Sequence, residues 1–246
     1  MTIEWNDVDE LTPWRFALAN AVGEEIPAAI AADMSGYYAL STATAPMLAS
    51  AQRARGADLA AQRGVLSAAA MVDLYSQIYE EEEAGALADT ARTLRAAYVG
   101  ADAATRLSAI KSLWGSSAAV GDGDPYGSWV LTAYAAARLD PSEDMAGDSG
   151  PLIGSMLAAG LNRDAARWVN VVPSGGLGWA LLALARSQPG EANSGAVDDF
   201  LSDDESDEQR KSRMLLAGLA GLGRISAGDA AGIADDLGID LQRRSR

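Results

Sequence analysis

Alanine dominates almost every segment of this chain, β-branched residues are sparse, and glycine recurs where the alanine-rich stretches end. No other feature constrains the fold as tightly. Alanine is the strongest helix former, whereas a sheet draws on the β-branched and aromatic residues that are scarce here. Phenylalanine occurs only at 16 and 200, and aromatics make up 6% of the chain. The expectation is an all-α fold of roughly a dozen helices. Short connections between amphipathic helices make them antiparallel neighbours, so an antiparallel helical-hairpin array follows.

The start and stop signals agree. In LTPWRFALANAVG, Thr12 is placed to cap a helix that opens at Pro13 and stops at Gly23. A short helix is expected after Pro27, and Pro46 is expected to kink or split the next one. ADLAAQRG reads as a separate short helix. Met71, Leu74, Tyr75, Ile78 and Tyr79 keep the i, i+3, i+4, i+7, i+8 spacing of a buried helix face, as do Ala91, Leu94, Ala97 and Tyr98. Asp124 and Pro125 read as another helix start.

Two fragments, Met156 to Leu161 and Met214 to Leu219, match at five of six positions. SWVLTAYAAA and GWALLALARS place Trp129 and Trp179 in the same order ahead of Leu and Ala. On these fragments the chain resembles α-solenoid proteins of the tetratricopeptide and Sel1-like type. The diagnostic Trp-Leu-Gly-Tyr and Ala-Phe-Pro positions of the tetratricopeptide consensus are not in place. RGVLSAAAMVDLYSQIY and RLSAIKSLWG also look like Ala-rich bacterial helical proteins. The solenoid resemblance implies a protein-binding superhelix, either a regular α-solenoid or an irregular α/α array. The domain reading is a single helical-repeat domain over 1–246, with a subdivision near 119–127 and an acidic loop at 188–210.

Composition excludes much chemistry. The chain has no histidine and no cysteine, which removes Ser-His-Asp and Cys-His nucleophiles, thiolate or imidazole zinc sites, iron–sulfur ligation and disulfides. A net charge of −15 repels phosphate backbones and anionic bilayers, so nucleic acid is not an expected partner. The longest apolar runs are short of the roughly 18–20 residues that span a bilayer. The opening MTIEWNDVDELTPW lacks the basic and apolar regions of a secretory leader, which reads as cytoplasmic; a processed fragment would be periplasmic or secreted.

Several stretches invite a sharper reading. RWVNVVPSGGLGWALL has the outline of strand, glycine loop and helix, which can cradle a phosphate. The dinucleotide fingerprint fails at Leu181 and Trp179, and no Gly-Lys-Ser/Thr is present. A helix-to-helix corner with Ser174 as N-cap is therefore expected, unless RWVNVV forms a strand. GDGDPYG places Asp122, Asp124 and Gly127 at calcium-loop offsets, but Tyr126 and Ala133 stand where further oxygen ligands are needed. The run from Asp198 to Glu208 holds seven acids in eleven residues and reads as a solvated loop kept open by self-repulsion. Paired acids such as Glu24 and Glu25, or Asp235 and Asp236, are adjacent in sequence and show no opposed placement across a cleft.

No catalytic, cofactor or metal residue is expected. The expectation is a non-catalytic scaffold or adaptor that binds another protein bearing a basic or amphipathic segment. Candidate partner-binding residues are Trp5 and Trp14, the helix-ending acids Glu80, Glu81, Glu82 and Glu83, and Asp203, Asp204 and Glu205 in the acidic run. Carboxylates at a helix C-terminus oppose the macrodipole, which favours cations there. The alternatives are a carboxylate-dependent enzyme on an α/α toroid and a structural C-terminal domain of a longer protein.

Overall fold

A computed structural model of the chain describes residues 3–6, 8, 10–32, 34–81, 85–115, 126–188 and 190–239. Among these residues there are fourteen α-helices and no strand. The chain divides into two compact units, Met1–Asp140 and Pro141–Arg246.

The first unit contains α1 (Pro13–Val22), α2 (Ala28–Ala32), α3 (Gly36–Thr44), α4 (Ser50–Gln62), α5 (Ala68–Glu80), α6 (Ala86–Val99), α7 (Ala103–Gly115) and α8 (Tyr126–Ala137). Consecutive helices from α3 to α8 pack on one another, and α8 also packs on α4, α5 and α6. That position explains why α8 is apolar on nearly every side, with eight of its twelve residues buried, since a helix surrounded by others has no face left for water. Its fully buried Thr132 hydroxyl donates to Ser128 O at 2.7 Å and accepts from Trp114 Nε1 at 2.9 Å. At the start of α8 the Asp58 carboxylate fills the space that a Cβ on Gly127 would need.

Pro46 separates α3 from α4, as its missing N–H requires. ADLAAQRG, by contrast, is not a separate helix. It continues α4 through Gly56, which is buried against Thr42 and Ala43 of α3. A Cβ there would lie 2.9 Å from the Ala43 amide nitrogen, so the glycine marks a close helix crossing and not a stop.

The second unit contains α9 (Ser149–Ala158), α10 (Asn162–Ala166), α11 (Leu177–Ala185), α12 (Ser194–Ser202), α13 (Arg210–Gly221) and α14 (Ala227–Asp236). RWVNVV forms no strand: Arg167–Asn170 is a 3-10 turn that carries the fully buried Trp168. The glycines after it are a helix corner, but the N-cap is Gly176 and not Ser174. A Cβ on Gly178 would stand 3.3 Å from Gly150 N and 3.1 Å from Ile153 Cδ1, so here glycine serves the approach of α11 to α9. Ala180, Ala183, Val197, Phe200, Leu215 and Leu219 close one core cluster, and Leu216, Ala234 and Leu237 another.

The two matching fragments are used differently. Met156 is fully buried in α9 and Gly160 follows that helix with φ 73°, whereas Met214 is 67% exposed and Gly218 lies inside α13 against Leu184. The shared letters do not mark equivalent positions, because the two helices bury different faces.

Arginine closes helix ends throughout. Almost no helix carries a basic residue in its own last turn. Arg53 Nε instead donates to Ala43 O at the end of α3 (3.3 Å), Arg106 Nη1 to Arg138 O after α8 (3.5 Å), and Arg213 Nη2 to Leu237 O after α14 (2.8 Å). Arg224, buried between helices, donates to both Ala183 O and Arg186 O at the end of α11. Each guanidinium meets unpaired carbonyls and the negative end of a helix dipole, and its fork reaches two acceptors where an ammonium reaches one. The preference for 17 Arg over two Lys has this structural use.

Candidate partner-binding face

The start of α1 is built as its sequence implies. Thr12 Oγ1 accepts from Arg15 N at 3.3 Å and Pro13 takes the first helical position. Gly23, at φ 69°, ends the helix, with Gly23 N donating to Asn20 O and Glu24 N to Ala19 O. Left-handed backbone suits glycine because no Cβ meets the preceding turn.

The packing of α1 is less expected. Only Phe16 and Ala19 of its ten residues are buried. Phe16 stacks on Tyr38 at 4.4 Å between ring centroids, and Tyr37 meets Tyr38 edge-on. The opposite side presents Trp14, Ala17, Leu18, Ala21 and Val22. Trp14 is 82% exposed and Val22 42% exposed; Ala17 and Ala21 are exposed and Leu18 half-buried between them. These positions have the i, i+3, i+4, i+7, i+8 spacing that normally faces a core. No charged residue interrupts the stripe; Arg15 and Asn20 lie off it, both half-buried.

Two further exposed apolar residues lie near the ends of α1. Tyr37, 73% exposed, belongs to the ring cluster around Phe16. Met47, 70% exposed, brings its carbonyl oxygen to 3.5 Å from where a Cβ on Gly23 would stand. Isolated exposed apolar residues are ordinary, but a continuous helix stripe is not.

The sequence-derived candidates divide between different places. Trp14 belongs to this stripe. Trp5 is half-buried in the segment before α1, its indole N–H enclosed without a hydrogen-bond partner, and Ile3 N donates to Glu24 Oε2 at 2.8 Å. Glu80 ends α5 in solvent, while Glu81 accepts from the Ser50 hydroxyl at the first residue of α4. There the carboxylate meets the positive end of a helix dipole, which offsets its unfavourable position on α5. Glu82 and Glu83 lie outside the described residues, as do Asp122 and Asp124.

Asp203, Asp204 and Glu205 belong to the other unit, and the acidic run is not an open loop. Asp198 to Ser202 are part of α12. Asp203 and Glu205 are exposed, whereas Asp204 ties the chain together. Its Oδ1 accepts from Ser206 N (2.9 Å) and Oγ (2.6 Å), and its Oδ2 from Ser212 N (2.8 Å) and Oγ (2.6 Å). Lys211 N donates to Ser206 Oγ at 3.1 Å, so the knot caps the first turn of α13. Partial burial by itself would raise the Asp204 pKa; the hydrogen bonds from Ser206 and Ser212 outweigh it and hold the carboxyl well below the usual range. Self-repulsion fails to open the segment because one acid is consumed in capping.

Among the described residues no group of three or more acids, histidines or cysteines could hold a metal ion, and no helix is long and apolar enough to cross a membrane. Set against protein-family models, curated proteins and solved structures, the chain matches none. The fold and this face together define a class: an all-α protein with one helix whose apolar side lacks a cover.

Sequence reasoning found Trp14 and missed Leu18, Val22, Tyr37 and Met47. The available signal was that PWRFALANAV is apolar on two faces, which a helix needs only when it is covered on both.

Proposed function

We propose that the protein is a non-catalytic helical scaffold that binds another protein through the solvent side of α1. The observation that carries this reading is the uninterrupted stripe from Trp14 to Val22. Burying apolar surface contributes about 25 cal/mol per Å², and tryptophan is the residue type most enriched among interface anchors. The succession of packed hairpins from α3 to α8 supports an array of the α-solenoid kind, a design in which one surface is held rigid for a partner. Trp14 adds little to the fold because most of it is in water, so its replacement separates binding from folding. A Trp14→Asp, Val22→Asp chain is expected to keep its helical circular dichroism and to lose the proteins that the unaltered chain captures. Capture of the same proteins by both chains would end the proposal.

A further inference from the structure

We infer that the occupant of the α1 face is a cationic amphipathic helix of another protein. This rests on the reading of α1 as a docking face and adds the chemistry of the partner.

The shape of the face favours a helix. The stripe runs along one straight helix, about 15 Å for ten residues at 1.5 Å each. Its middle is formed by the small residues Ala17 and Ala21 beside Leu18, with Trp14 and Val22 at its ends. A second helix can lie close over such a row, its larger side chains filling the space above the alanines.

Charge selects the partner's polar flanks. Residues 1–50 hold seven acids against the single Arg15. Glu4 and Glu10 are exposed in the segment leading into α1. The one described ion pair at the other end, Glu25 with Arg55, draws its base from α4. Lysine or arginine beside the partner's apolar seam would meet this field favourably, and would be attracted from a distance by the net charge of −15. A second copy of this chain would set acid against acid over the same apolar row. An anionic lipid surface meets the same repulsion.

Labelled peptide binding to the full chain tests the inference. One probe is an amphipathic leucine–lysine helix of about 18 residues, long enough to cover α1; the other has every lysine replaced by glutamate. The expected result is that the lysine peptide binds, that Trp14→Ala weakens it about tenfold, and that the glutamate peptide binds at least tenfold more weakly than the lysine peptide. Lysine-peptide binding that Trp14→Ala leaves unchanged would show general charge attraction and overturn the inference. Equal binding of both peptides, each lost in Trp14→Ala, would overturn the cationic partner while leaving the docking face intact. If neither peptide binds and sedimentation shows a dimer that Trp14→Ala dissociates, the occupant is a second copy. If neither binds and the chain is monomeric, both the inference and the docking face fall.

Discussion

Asp204 carries more structure than any other acid among the described residues. Its two oxygens take four hydrogen bonds, and it lies just ahead of Glu208 and Gln209, whose φ angles of 52° and 51° are left-handed. Left-handed backbone costs a residue with a Cβ about 1–2 kcal/mol, so the turn persists because the capping knot and the Arg213 bond to Glu208 O hold it. Replacing Asp204 by Ala leaves the buried Ser212 hydroxyl and amide without their acceptor, a loss of about 1–3 kcal/mol, with the lower end favoured by partial exposure. Urea unfolding of the variant checks this. The folded pKa is depressed, so the contribution is full above the unfolded carboxylate value of about 4 and disappears as pH falls through the lower folded value. Asp204→Asn is therefore expected to lose stability near neutral pH and to show a shallower acid loss. A similar argument applies to Arg224, buried against two carbonyls. Arg224→Lys keeps the charge and loses the fork, and is expected to lower stability by about 1–2 kcal/mol; an unchanged urea midpoint would show that charge alone suffices.

At the scale of elements, the ends were legible and the faces less so. Thr12, Pro13 and Gly23 bound α1 as read, because caps and stops act through their own local backbone. Met71, Leu74, Tyr75 and Ile78 are buried together on α5, since that helix has a clear polar side and only one way to turn. Glycine was the ambiguous signal. It stops α1 at Gly23 but lets α4 approach α3 at Gly56, and the two uses look alike in one dimension. Substitution separates them. Gly56→Ala gains about 1 kcal/mol of helix propensity but forces a methyl against the α3 backbone, an overpacking cost of about 2 kcal/mol, so a net loss near 1 kcal/mol is expected. Gly232→Ala, inside α14 with nothing within 4 Å of the new methyl, has only the propensity term and is expected to gain up to about 1 kcal/mol. Thermal melts of the two variants should shift in opposite directions.

For the molecule as a whole, ionisation of tyrosine reports on the first unit. Burial, with the Asp58 charge adding to it, pushes Tyr75 up to about 12, and burial pushes Tyr98 up to about 12 despite Arg138 nearby. The folded state keeps both protons, so this contribution is full below the ordinary tyrosine value of about 10 and is lost as pH rises from there through 12. An absorbance titration at alkaline pH is expected to show two of the seven tyrosines ionising late and together with loss of helicity. A single early step with all tyrosines ionised and helicity intact would contradict it. Composition by itself determined that this protein is helical and lacks histidine and cysteine chemistry, because helix propensity and side-chain inventory need no knowledge of neighbours. Tertiary structure alone decided which acid became a cap, which glycine a crossing, and which side of α1 faces water. Those outcomes depend on what packs alongside, and a helix apolar on two faces holds no local information about which one will be left uncovered.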